Sequence, residues 1–138
     1  MHMSKVTRSN PAGVSPPVGK YSHLTRIPRG AALYVSSGQV GTAPDGSLPA
    51  ALSEQIAHTF RNIAALLQSE RLEAGDIVKV NIWATEELDW TYLYEQWDAL
   101  FGGSYPSMTV GYVSALGLPE LKIEIELWMA RVEHGEDG

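Results

Sequence analysis

Charged and apolar residues alternate through Lys122, Ile123, Glu124, Ile125, Glu126, Leu127 and Trp128. That period of two predicts a β-strand, with Ile123, Ile125, Leu127 and Met129 on one face. Lys122, Glu124, Glu126 and Trp128 share the other, so two carboxylates and an indole stand together. The strongest helical pattern covers residues 51–71, where Leu52, Ile56, Thr59 and Phe60, Ile63, and Leu66 and Leu67 recur at three and four. Residues 76–83, "DIVKVNIW", predict a strand with Val78, Val80 and Ile82 on one face and Ile77, Lys79, Asn81 and Trp83 on the other. Asp89 is the expected N-cap of a second helix, "WTYLYEQWDALF", whose apolar stripe is Trp90, Leu93, Tyr94, Trp97 and Phe101. Gly102 and Gly103 end it, and residues 106–113, "PSMTVGYV", follow as a strand.

Upstream, "YSHLTRIP" and "AALYVSSGQV" flank Arg29-Gly30 and predict a hairpin. Residues 43–49, "APDGSLP", make a loop. The first twenty residues hold Pro11, Gly13, Pro16, Pro17 and Gly19 and are expected to form an irregular arm. The order ββαβαββ predicts an α+β domain spanning residues 1–138, a mixed sheet with both helices on one face. Its other face would be uncovered and would carry Ile77, Trp83 and Trp128. Uncovered aromatic surface of that kind predicts oligomerisation.

Composition narrows the chemistry. There is no cysteine among the 138 residues, which removes disulfides, thiolate nucleophiles and Cys-based zinc sites and fits a reducing cytoplasm. His2, His23, His58 and His134 are scattered without metal-ligand spacing, so neither metal nor cofactor is expected. A net charge of −6 argues against nucleic acid as a partner. Met-His-Met-Ser-Lys does not open a signal peptide, and no apolar run approaches a membrane span.

Three stretches, in this order and spacing, are distinctive: "SSGQVGTAPDGSLP", "GDIVKVNIW" and "YPSMTVGYVSALGLPELKIEIE". From about Asn10 to Val132 the chain resembles the reactive intermediate deaminase family, RidA or YjgF, whose older label is endoribonuclease L-PSP. The resemblance implies a chorismate-mutase-like fold and a homotrimer. The uncovered sheet faces would form a barrel-like centre, and small-molecule pockets would lie at the subunit clefts. It also implies hydrolysis of 2-imino and enamine acids to keto acids and ammonia. Such a pocket needs a cation for the substrate carboxylate, best an Arg with its planar fork, and a group that positions water or moves a proton.

By that resemblance, Glu124 takes the catalytic position, while Tyr21 and Ser37 match pocket residues. Thr91 falls near a pocket asparagine, and Val110 stands where many members carry Cys. The family's arginine position holds Met108, in Pro-Ser-Met-Thr. Methionine neither neutralises a carboxylate nor donates a hydrogen bond, so a neutral or cationic ligand is expected. Lys20, beside Tyr21, is the nearest substitute cation. The alternatives are a trimer that binds a metabolite without turnover and, disfavoured by the acidic composition, an endoribonuclease.

Overall fold

A computed structural model describes residues 5–133 of the chain, so His2 and His134 lie outside the described residues. The strands are β1 (Thr7–Ser9), β2 (Leu24–Arg26), β3 (Ala31–Val35), β4 (Ile77–Ala84), β5 (Ser107–Tyr112) and β6 (Ile123–Val132); the helices are α1 (Leu52–Ser69) and α2 (Trp90–Phe101). A four-stranded sheet runs β3-β6-β4-β5, and β1 pairs separately with β2. β6 lies antiparallel to β3 and β4, whereas β4 and β5 are parallel, as the crossover through α2 requires. The result is the expected α+β architecture, two helices on one side of a mixed sheet.

The periodicities predict the buried face well. Ile56, Phe60, Ile63 and Leu67 of α1 and Leu93, Trp97 and Phe101 of α2 pack on Val80, Ile82, Ile123, Ile125 and Leu127, and all are buried. Asp89 caps α2 by accepting from the Tyr92 amide, and Gly102 closes it in the left-handed conformation at φ 64°. The opposite sheet face carries Leu33, Val35 and Trp128, exposed by 56%, 59% and 41%.

Three expectations are corrected. The hairpin between β2 and β3 does not form. β2 pairs with β1, Leu24 opposite Ser9, and β3 pairs with β6, Leu33 opposite Ala130. Pro28 lies between them without an amide donor, and its carbonyl accepts from Ala31 to turn the chain away. The arm is not irregular throughout, because Thr7–Ser9 is a strand. Arg8 anchors it: its guanidinium donates to the carbonyls of Ser104, Ala74 and Ile77 at 2.7–2.8 Å and lies over the Phe101 ring. Burial lowers the Arg8 pKa, and Asp76 opposes that shift. Lastly, Ile77 does not share the open face with Trp83. The register slips by one residue between Ile77 and Lys79, and this bulge turns Ile77 into the core with no exposure.

One buried polar residue binds three segments together. Gln55 of α1 is fully buried; its amide donates to the carbonyls of Pro49 and Glu120, and its oxygen accepts from the Lys122 amide. Gln55→Leu leaves that amide and two carbonyls without partners. It should cost about 1–3 kcal/mol, read as a lower urea midpoint at unchanged slope. An unchanged midpoint would mean that Gln55 does not join these segments.

Candidate functional site

A cavity of about 520 Å3 opens where the arm crosses α2 and β5. Trp90 and Tyr94 of α2 stand four residues apart on one helix face, and their rings pack 5.3 Å apart at 54°. Met108 and Val110, two apart on β5, supply the apolar floor, with Thr109 between them at the rim. Val18, Gly19 and Tyr21 of the arm close the third side. Among the described residues, none that lines it carries a charged side chain.

The arm is held to this place by hydrogen bonds. Lys20 N–H donates to the Tyr94 hydroxyl at 3.1 Å, and Trp97 Nε1 donates to the Lys20 carbonyl at 2.8 Å. Ser22 donates from its amide to the Pro106 carbonyl and from its hydroxyl to the Tyr105 carbonyl. Gly19 is needed for the close approach, since a Cβ there would lie 2.6 Å from the Tyr94 hydroxyl.

The side chain of Lys20 does not act as a free cation. Its Nζ contacts Asp98 Oδ2 at 2.5 Å and lies 5.3 Å from the centre of the Tyr94 ring. Asp98 also accepts from the Tyr105 hydroxyl at 2.7 Å. The hydrogen bond to Asp98 raises the Lys20 pKa, and the bonds from Lys20 and then Tyr105 lower that of Asp98.

Glu124 occupies a different place. It opposes Trp83 of β4, and Trp83 opposes Gly111 of β5, all on the face away from the helices. Met108 opposes Val80, and Val110 opposes Ile82, on the helix-covered face. Glu124 and the Met108 cavity therefore lie on opposite sides of the sheet in one chain. The Trp83 ring lies over Gly111, where a Cβ would come within 2.7 Å of it, and its Nε1 donates to Glu126 at 3.0 Å. Lys79 Nζ donates to Thr109 Oγ1 on this face.

Beyond β3 the chain stays on β6. Ser36 pairs with Leu127 through backbone and hydroxyl bonds, and Gln39 exchanges two backbone bonds with Ile125. Ser37 and Gly38 together oppose Glu126 alone, which makes a bulge. Gly38 sits so close to Glu124 that a Cβ would overlap its Cγ, Cδ and Oε2.

Of the residues expected at the site, Tyr21, Met108 and Val110 share the cavity. Glu124 and Ser37 lie beside the bulge on the other face, and Ser37 is exposed. Thr91 is exposed and outside the cavity, whose α2 wall is made by Trp90 and Tyr94 instead. Those two belong to the helix's apolar stripe in the sequence. The stripe is wider than the core needs, and that surplus is the signal that marks them. Among the described residues, no three His, Asp or Glu side chains converge as a metal site would require, and no helix is long and apolar enough to cross a membrane.

Comparison with known proteins fits this architecture. The chain belongs to the RidA/YjgF family, whose family model, described as Endoribonuclease L-PSP, matches residues 12–131. A RutC family protein of Aquifex aeolicus is 34% identical over 86 residues, 62% of this chain and 66% of that one. The 2-iminobutanoate/2-iminopropanoate deaminase of Salmonella typhimurium is 26% identical over 130 residues, 90% of this chain and 95% of the relative. In structure, the Rid family protein YyfB of Yersinia pestis superposes with a TM-score of 0.80 at 24% identity, covering 91% of this chain and 98% of its own. Escherichia coli TdcF, solved with bound serine, gives 0.65 at 26% identity over 90% and 94%.

The seat of Glu124 is testable. Gly38→Ala should shift the side-chain carboxyl 13C resonance of Glu124 and leave that of exposed Glu120 in place. An unmoved Glu124 resonance would contradict the close approach.

Proposed function

We propose that the protein is an imine or enamine hydrolase of the RidA type whose substrate lacks the usual carboxylate, and that it works as a homotrimer. The observation that carries this reading is the cavity itself, walled by Tyr21, Trp90, Tyr94, Met108 and Val110 and free of charged side chains. An imine with an apolar or aromatic body gains from burial among these groups, whereas an acid would leave its carboxylate unpaired.

The carboxylate for the chemistry comes from a second copy. Glu124 and the cavity stand on opposite faces of one sheet, so only a neighbouring subunit brings Glu124 against the ligand. The exposed Leu33, Val35 and Trp128 are the surface that such packing would bury. Glu124 accepts a proton from water as its oxygen adds to the C=N carbon, and the nitrogen gains that proton. The new hydroxyl then gives up its proton, which passes through Glu124 to the nitrogen as the C–N bond breaks, giving a carbonyl compound and ammonia. The deaminase names of the relatives support this reaction class. A reducing cytoplasm is the setting that fits a chain without cysteine.

Binding without turnover is the second reading. The missing arginine and the attachment of Lys20 to Asp98 favour it. We set endoribonuclease activity aside for a chain of net charge −6.

Light scattering on the eluted protein should give about three times the chain mass of 15.0 kDa. A monomer at micromolar concentration would remove both the trimer and the cleft.

Activity on 2-iminopropanoate, generated in situ by an amino-acid oxidase, should be weak. A charge-assisted clamp contributes about 1.5–3 kcal/mol, so its absence costs roughly tenfold to somewhat over a hundredfold in efficiency. Met108→Arg should restore measurable hydrolysis. Strong wild-type activity would contradict the substrate class proposed, and inactivity of both proteins would favour binding without turnover.

A further inference from the structure

Lys20 is tied to a residue for which the reaction has no use. Gly19 and Tyr21 line the cavity, and Lys20 between them has its backbone fixed on both sides by Tyr94 and Trp97. Those bonds hold the backbone, and the side chain is held by Asp98. The ammonium lies over Tyr94, itself a cavity wall, and so is within a side-chain rotation of the ligand space. Asp98 draws it along α2 instead, and Tyr105 holds Asp98 in position from its other oxygen.

We propose that Asp98 sets the charge preference of the cavity by holding Lys20 away from it. The pair takes the local cation out of reach of a bound carboxylate. The device is inexpensive to undo, because both side chains are about 40% exposed and exposed ion pairs contribute little to stability. Removing Asp98 therefore changes the ligand without endangering the fold. This inference rests on the cavity being the ligand site, and the test separates the two claims.

The probes are phenylacetamide and phenylacetate, alike in shape and different in charge. Binding is followed from the indole resonance of Trp90 and the backbone amides of Gly19 and Val110. Wild-type protein should bind the amide in preference to the acid. Asp98→Asn removes the charge while an amide oxygen remains to accept from Tyr105, and Asp98→Ala removes any hold on Lys20. At least one of them should bind phenylacetate about tenfold more tightly, with the amide affected little. Adding Lys20→Met to that variant should abolish the gain. Amide binding with no gain of the acid in either variant overturns the role of Asp98 and leaves the site intact. A gain that survives Lys20→Met overturns it as well. Neither probe shifting the cavity resonances in any variant overturns both claims.

Discussion

A pleated strand sends successive side chains to opposite faces, and nothing on one face of a continuous sheet can reach the other. This constraint organises the molecule. β6 lies between β3 and β4, with Ile123, Ile125 and Leu127 in the core and Glu124 and Glu126 on the open face. The same parity places Met108 and Val110 of β5 with the helices. Among the described residues, those lining the cavity include no carboxylate, and Glu124 stands on the other face of the sheet. The proposed association of copies through the open face is what would bring the two together, so the proposed chemistry and the proposed assembly stand or fall as one.

The cavity is shaped by what the core does not consume. Leu93, Trp97 and Phe101 occupy the inward side of α2. Trp90 and Tyr94 lie a step round the helix, half-buried between the arm and β5. On the opposite face, Gly38 and Gly111 each admit a side chain where a Cβ would collide with it, Glu124 in one case and Trp83 in the other. The positions of the carboxylate and the indole depend on these two absent methyl groups.

Most of the fold is legible in the sequence because period and capping are local. The alternation in 122–128, the stripe of α1, and the cap at Asp89 each state their own structure. The failures come from interactions distant along the chain. Arg8 makes a strand of the arm by reaching carbonyls of residues 74, 77 and 104, and no local pattern announces that. The bulge that turns Ile77 inward depends on pairing with Met129. At the site, Tyr21, Met108 and Val110 line one cavity. Thr91 lies outside it at an exposed position of α2, where Trp90 and Tyr94 make the wall. The pairing of Lys20 with Asp98, 78 residues apart, is likewise invisible before folding.

The central claim, that Glu124 of one copy meets the Met108 cavity of another, is tested most directly by thiol cross-linking. The chain has no cysteine, so introduced thiols report without background. The double variant Met108→Cys, Glu124→Cys, treated with a short bis-maleimide, should yield linked dimers and trimers on a denaturing gel. Either single variant should remain monomeric. The sheet bars the link within one chain, so the bands require neighbouring copies. A double variant that runs only as monomer would contradict the account.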